Sequence, residues 1–179
     1  MRKITLLLLF LSAFSTTSQN KMHSYTGITN FEASIPLFEE VKAVNKKTKC
    51  TIVTATGELI CWLYIKDFEF KRNLMQEHFN SIYMESNRYP KAIFKGKIEN
   101  FDIKALSTTS SLYKIKGKMS IKGTTKIITT QATLKRVTNG LEFTTQFSLN
   151  TDDFHIEIPF IVQTKISKTV NTQIICVVR

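Results

Sequence analysis

Apolar and polar residues alternate with a period of two along much of this chain. From Lys91 to Phe101, apolar residues and a glycine alternate with lysine and glutamate. The same alternation recurs from Tyr113 to Ile121 and from Leu141 to Leu149. Because successive side chains of a β-strand point to opposite faces of its sheet, each run predicts a strand with one buried face and one solvated face.

Five further strands are predicted from composition and turn signals. Threonine and β-branched residues dominate the segment 124–136, and strands favour that composition. Two strands joined at a turn around Gly57 are predicted within Lys47–Ile65. The remaining two strands are His23–Ser34 and Thr172–Val178. Turns separate neighbouring runs at Lys122–Gly123 and at Asn139–Gly140, and Asn-Gly is a strong hairpin signal.

Two short helices are predicted between the strands. Pro36–Val41 has a proline and two glutamates near its start, as the first turn of a helix prefers. Asn73–Tyr83 begins at a capping residue, Asn73, and carries Leu74, Phe79 and Ile82 around one side.

Eight antiparallel strands with regular alternation predict a closed barrel, because closure removes exposed sheet edges. The interior of such a barrel is either filled by side chains or holds one small ligand, and the sequence leaves both interpretations open. Gly96 and Gly117 share the inward register, which marks a bend or a place where another group comes close. The predicted barrel lining, which is also the candidate ligand-binding surface, consists of Phe94, Ile98, Ile115, Met119, Leu134, Phe143, Phe147 and Leu149.

The N-terminal segment resembles a secretory signal peptide. Arg2 and Lys3 precede a short apolar run, and small residues follow it. The sequence therefore predicts a signal peptide over 1–18 and one domain over 19–179. No cysteine lies near the predicted cleavage site, so a lipoprotein is not expected. The expected product is exported and soluble, either periplasmic or secreted.

The formal net charge of +11 raises the question of an anionic partner. The lysines are spread along strands, and no nucleic-acid-binding motif is present, so nucleic acid is not expected. One outward strand face is predicted to be strongly basic and to meet anionic membrane headgroups, and it consists of Lys95, Lys97, Lys114, Lys116 and Lys118.

The chain has three cysteines. If Ala55 and Thr56 form a two-residue turn, Cys50 and Cys61 face each other across a strand pair, since residues whose numbers sum to 111 are then opposite. A disulfide between them is geometrically feasible, although the sequence favours two small buried thiols. Cys176 has no evident partner.

The sequence contains no arrangement that predicts catalysis. Its histidines, His23, His78 and His155, are far apart and lack metal-ligand spacing. The adjacent Glu77 and His78 are the best acid–base pair, and such a pair is more often a feature of a helix surface. No nucleophile elbow or phosphate-binding loop is present. We therefore predict neither an enzyme, a metal site nor a cofactor.

Several motifs taken together resemble the YceI-like family. The stretch Met75–Asn80 of the second predicted helix is followed by Tyr89–Ile98, which is similar to the family's "yP-x-a/i-x-F" strand. Lys116–Lys126 is similar to its "G-x-L-x-I-x-G-x-t-k" hairpin, with Met119 in place of the usual leucine. Asp153–Pro159 stands where many members have "D-Y-x-I-x-I-P".

The resemblance implies a lipocalin-like antiparallel barrel, usually periplasmic. Some family members hold a long polyisoprenoid, or the tail of an isoprenoid quinone, inside the barrel. On this interpretation the partner is an apolar lipid-like ligand, and His78 and Phe79 are candidates for the cavity mouth. The alternative is a filled barrel that acts as an envelope interaction or stress protein with no small ligand.

Overall fold

Eight long strands close into an antiparallel barrel in the computed structural model, which describes residues 20–179. The strands are β1 (Lys21–Ser34), β2 (Lys42–Val53), β3 (Glu58–Tyr64), β4 (Glu69–Phe70), β5 (Lys91–Ile98), β6 (Ser111–Ile121), β7 (Thr124–Val137), β8 (Gly140–Asn150) and β9 (Ile166–Val178). Around the ring the order is β1-β9-β8-β7-β6-β5-β3-β2, and β2 pairs again with β1. The two-residue β4 pairs with the start of β2 and stands outside the ring. The predicted eight-stranded barrel is confirmed.

The two ends of the barrel differ in their connections. The end we call lower carries the tight turns 54–57 and 138–139 and the irregular connection 99–110. The upper end carries the hairpin turn 122–123 and three longer connections, 35–41, 65–90 and 151–165. The predicted signal peptide, residues 1–18, lies outside the described residues, so export stays a prediction. No helix within 20–179 is long and apolar enough to cross a bilayer.

Both predicted hairpin turns are present, and the second lies at 138–139, one residue earlier than predicted. Ile121 pairs directly with Thr124, and the intervening Lys122 and Gly123 both have positive φ, 46° and 75°. Positive φ at both central residues is the geometry that matches the twist of the flanking strands. The turn before Gly140 is equally tight, because Val137 pairs with Gly140 in the ladder of β7 and β8.

The upper end contains the helix that the sequence predicted, with one correction. The α-helix α1 (Asn73–His78) continues into a single π-helical turn, Phe79–Tyr83. Asn73 is the first helical residue and does not cap the helix. The capping position is Arg72, which makes no side-chain capping hydrogen bond.

The predicted helix over Pro36–Val41 is wrong. These residues form a turn and an extended approach to β2. Leu37 has a φ of 72°, a left-handed conformation that ends any helical path one residue after the proline. Short 3-10 turns occur instead at Ile65–Asp67, Thr151–Phe154 and Phe160–Val162.

A filled hydrophobic core occupies the lower half of the barrel. Ile98, Leu134 and Val178 are completely buried, and Leu106 from the lower connection packs on them. Arg136 fixes this connection, since its Nε donates a hydrogen bond of 2.8 Å to the carbonyl oxygen of Leu106. The lower end is therefore closed by its own connection.

Gly96 and Gly117 pair across β5 and β6 and make room for one aromatic ring. A Cβ atom placed on either glycine would lie 2.6 or 2.7 Å from Cζ of Phe94. It would also meet a strand carbonyl oxygen at 2.5 Å. The two glycines thus let the Phe94 ring lie against the inside of the barrel wall. Of the two roles predicted for them, they allow the close approach of another group and do not mark a bend.

Cys50 and Cys61 pair directly across β2 and β3, as the predicted register requires. The turn has four residues, 54–57, instead of two, but it has the same centre and so preserves that register. The Cα atoms lie 4.2 Å apart and the sulfurs are joined in a disulfide, where the sequence favoured two thiols.

The third cysteine lies against this disulfide. Sγ of Cys176 on β9 lies 3.0 Å from Sγ of Cys50 on β2, reaching across the intervening strand β1. Gly27 of β1 permits the contact, because a Cβ there would lie 2.2 Å from the Cys176 sulfur. Burial raises the pKa of the Cys176 thiol from 9.0 to about 12.

Candidate ligand cavity

The upper half of the barrel encloses a cavity of about 430 Å³. Seven of the eight ring strands contribute wall residues, and most of these occupy alternate positions along their strand. On β9, for example, Val170, Thr172 and Ile174 face inward, and Cys176 continues this register into the filled core. The cavity therefore stands directly above the lower core and within the same barrel.

The predicted lining residues divide between these two regions. Four of them, Phe94, Met119, Phe147 and Leu149, line the cavity. The other four lie below it in the filled core and do not line it, and they are Ile98, Ile115, Leu134 and Phe143. The two open interpretations of the interior, filled or hollow, each apply to one half of the barrel.

The cavity floor consists of side chains that belong to both regions. Phe94, Met119 and Ile174 are buried in the lower core and also border the cavity. Cys61 and Phe154 also belong both to the core and to the cavity lining. The floor is thus formed by large apolar groups and by one sulfur of the disulfide.

Phe154 occupies a gap in the barrel wall. The ladder between β7 and β8 ends at the pair Gln131 and Gln146, so the upper parts of these strands separate. The 3-10 turn Thr151–Phe154 folds back beside β7 and buries the Phe154 ring, which is 2 % exposed. The motif that begins at Asp153 therefore seals the wall of the cavity.

Four phenylalanines form one side of the cavity. Phe79 of the π-helical turn stacks on Phe31 of β1, with ring centroids 5.4 Å apart. Phe68 and Phe70 surround the same two rings, at 5.0–5.7 Å between centroids. These aromatic contacts fix the helical segment over the barrel opening.

The mouth of the cavity lies at the upper end. The structure places both predicted mouth residues there: Phe79 is partly buried in the aromatic cluster, and His78 is exposed at the border. Arg72, the residue before α1, forms an ion pair with Glu39 of the connection 35–41, and both residues are exposed. The charged residues of the lining are therefore at the entrance.

Few polar groups reach the interior. The hydroxyls of Thr29 and Thr48 are buried and lie 2.7 Å apart, so they satisfy each other. Oγ1 of Thr151 is buried and has no hydrogen-bond partner within residues 20–179. Such a lining offers burial to an apolar group and little to a charged one.

Several lining residues were not identified from the sequence. The run Val170, Thr172, Ile174 has the period-two pattern that would have extended the last strand back from Thr172. Phe68 and Phe70 lie between the predicted strand region that ends at Ile65 and the predicted helix that begins at Asn73, so no predicted element contained them. Phe31 lies in a predicted strand, but nothing in its own segment shows that α1 would cover it.

The described residues contain no group of three or more histidine, cysteine or acidic side chains that could hold a metal ion. The histidines are separate: Nδ1 of His23 lies 3.0 Å from Oγ1 of Thr51, and His155 is exposed in a left-handed turn. Asp152 and Asp153 form exposed ion pairs with Lys168 and Lys126. These groups do not meet at the cavity.

A family model described as the YceI-like domain matches residues 11–177. The chain belongs to the YceI-like family. No curated protein matches it. The YceI-like fold is also that of several solved structures.

One of these is a polyisoprenoid binding domain from Saccharophagus degradans implicated in plant cell wall breakdown. It is 15% identical, with a TM-score of 0.74, over 89% of this chain and 97% of that one. Burkholderia cenocepacia BcnA is 15% identical, with a TM-score of 0.68, over 85% and 96%. A Campylobacter jejuni YceI protein is 18% identical, with a TM-score of 0.60, over 81% and 87%.

Proposed function

We propose that this YceI-like chain binds one apolar, chain-like molecule in the upper cavity, of the class of polyisoprenoid lipids or isoprenoid quinones. The observation that carries the proposal is an apolar cavity of about 430 Å³ that opens at one end of a barrel whose other half is filled. Ligand cavities in proteins generally have volumes of about 300–1,000 Å³.

The free energy of an empty cavity supports an occupant. Its lining is almost entirely apolar, so the side chains around an empty cavity would lack packing partners that an apolar occupant supplies. Water does not readily fill such a space, because it finds few polar partners there.

The shape of the cavity favours a linear molecule. Its lining on β9 runs from Ile166 to Ile174, eight residue steps, or about 26 Å along the strand. An apolar space that extends along the strand suits a flexible hydrocarbon chain better than a compact polar metabolite. The fold neighbour from Saccharophagus degradans, described as a polyisoprenoid binding domain, supports the same class of ligand.

Native mass spectrometry of protein purified from its own host tests this function, with solvent extraction of any bound molecule. We expect one discrete added mass that extracts as a long-chain isoprenoid. Val170→Trp should remove it, because the indole would fill the cavity from its wall. Ile175→Trp is the matched control, since it lies on the same strand in the outward register.

The contrary result is a bare polypeptide mass that persists after incubation with polyprenyl lipids and quinones. That result would favour the alternative, an envelope interaction or stress protein without a small ligand.

A further inference from the structure

Several large apolar side chains are exposed at the upper end of the barrel, and we call five of them the rim: Leu37, Phe38, Leu74, Phe160 and Ile161. Leu37 is fully exposed, and Phe160 and Ile161 are 87% and 83% exposed. They come from three separate segments, namely the connection 35–41, α1 and the 3-10 turn Phe160–Val162. Exposed apolar residues grouped at one site mark an interaction surface.

The rim surrounds the mouth of the cavity. Each of its three segments also supplies a cavity wall: Val41 from the first, Leu74 and Met75 from α1, and Val162 from the third. A surface that covered the rim would therefore also cover the mouth of the cavity.

We propose that the rim docks on a phospholipid bilayer, inserting its apolar side chains into the interfacial layer so that the cavity opens towards the acyl chains. The proposal rests on the proposed function, because an apolar chain that left the mouth into water would expose every methylene group. A bilayer can bury the exposed side chains of the rim and can also accept an apolar ligand from the cavity.

The charges near the rim distinguish this mode from electrostatic attraction. Glu39 and Glu40 are paired with Arg72 and Lys42. Four other charged residues lie within four sequence positions of a rim residue and form no ion pair within residues 20–179. Two are basic and two are acidic: Lys71, Lys165, Glu77 and Glu157. The rim is therefore close to neutral, and its docking should depend little on salt or on anionic lipid.

The basic face of β5 and β6 offers a contrasting surface. Lys95 lies directly opposite Lys118, and Lys97 opposite Lys116, on the outer wall of the barrel. Docking through this face would need anionic headgroups and would weaken steeply as salt rises. The two surfaces thus predict opposite dependences on lipid charge and ionic strength.

Vesicle flotation tests the proposal on a chain that comprises residues 19–179. We expect the protein to float with phosphatidylcholine vesicles at both low and high salt. Phe160→Asp with Ile161→Asp should weaken binding by at least about tenfold, because two charges replace two inserted apolar groups. Leu112→Asp is the matched control, since Leu112 is 62% exposed at the lower end and should leave binding unchanged.

A fluorescent reporter gives the orientation independently. The chain has a single tryptophan, Trp62. The emission of an added tryptophan is therefore obtained by subtracting the spectrum of the unmodified protein from that of the variant. Ile161→Trp should shift its emission to the blue when phosphatidylcholine vesicles are added. Leu112→Trp should not shift.

Three results would overturn docking by the rim. The first is unchanged flotation of the Asp double variant. The second is binding that requires phosphatidylglycerol and is lost on replacing Lys95, Lys97, Lys116 and Lys118 by Gln, which would assign docking to the basic face. The third is a concentration-dependent dimer that the Asp double variant converts to monomer, which would make the rim a contact between copies.

Native mass spectra of the same Asp double variant separate this proposal from the proposed function. Neither Phe160 nor Ile161 lines the cavity, so the variant should retain a bound apolar chain. Retention with lost flotation supports both proposals. If the variant retains the ligand and its flotation is unchanged, docking by the rim is rejected and the proposed function stands. If the unmodified protein has a bare mass, the ligand is rejected, and flotation still tests the rim.

Discussion

The two halves of this barrel share their strands and their inward register, yet one is filled and the other is hollow. Phe143 and Phe147 of β8 show the difference over four residues: the first is buried in the lower core, and the second borders the cavity. The contrast arises from what covers each end. Tight turns and the segment 99–110 close the lower half, whereas long connections hold the upper half open.

Truncation of one phenylalanine in each half gives the largest expected contrast. Phe143→Ala should lower the free energy of unfolding by about 3–5 kcal/mol, the usual cost of emptying a packed aromatic site. Phe147→Ala should cost much less, because its ring already borders empty space. Urea unfolding of the two variants measures both values, and equal losses would show that the upper half is packed like the lower.

The boundary between the halves is tested at Gly96. Gly96→Ala should cost about 1–3 kcal/mol, since the new methyl group meets the Phe94 ring and the carbonyl oxygen of Lys116. In a Phe94→Leu background, Gly96→Ala should lower the free energy of unfolding by less. The loss that remains then measures the contact of the new methyl group with the carbonyl oxygen. If the cost of Gly96→Ala is the same in both backgrounds, the ring is not what the glycine accommodates.

The dryness of the lower half is tested by pH. The folded state holds the pKa of the Cys176 thiol at about 12, so above pH 9 the unfolded chain loses this proton first. The free energy of unfolding should therefore fall by about 1.4 kcal/mol per pH unit between these two values, and the contribution is fully present below pH 9.

Cys176→Ala provides the comparison for this slope, because it removes the titrating group. Rapid-mixing unfolding and refolding rates should be used, so that thiols of the unfolded chain do not exchange with the disulfide. Parallel pH curves for the two proteins would mean that the thiol is not shielded from water.

The barrel itself could be predicted from the sequence because its signals are local. Period-two alternation and the turn at Lys122–Gly123 each act within one hairpin, and the register of Cys50 and Cys61 follows from a single turn. The helix predicted over Pro36–Val41 failed because a proline and two acids resemble a helix start, whereas Leu37 adopts a left-handed conformation.

The division of the interior could not be predicted in the same way. Leu134 and Leu149 are both apolar and inward, and only the connections at the two ends decide which of them meets a neighbour and which meets open space. The Phe154 seal and the contact of Phe31 with Phe79 likewise join segments that are far apart in the chain.

The place where β1 begins and β9 ends has a practical consequence. β1 begins and β9 finishes at the lower end, where the amide of His23 donates to the carbonyl oxygen of Arg179 at 2.7 Å and the reverse bond measures 2.9 Å. A sensor chip or bead coupled through Arg179 would thus hold the barrel upright with its mouth facing the flowing sample. Immobilised in this orientation, the protein could be loaded, washed and presented to vesicles without its support blocking either the cavity or the rim.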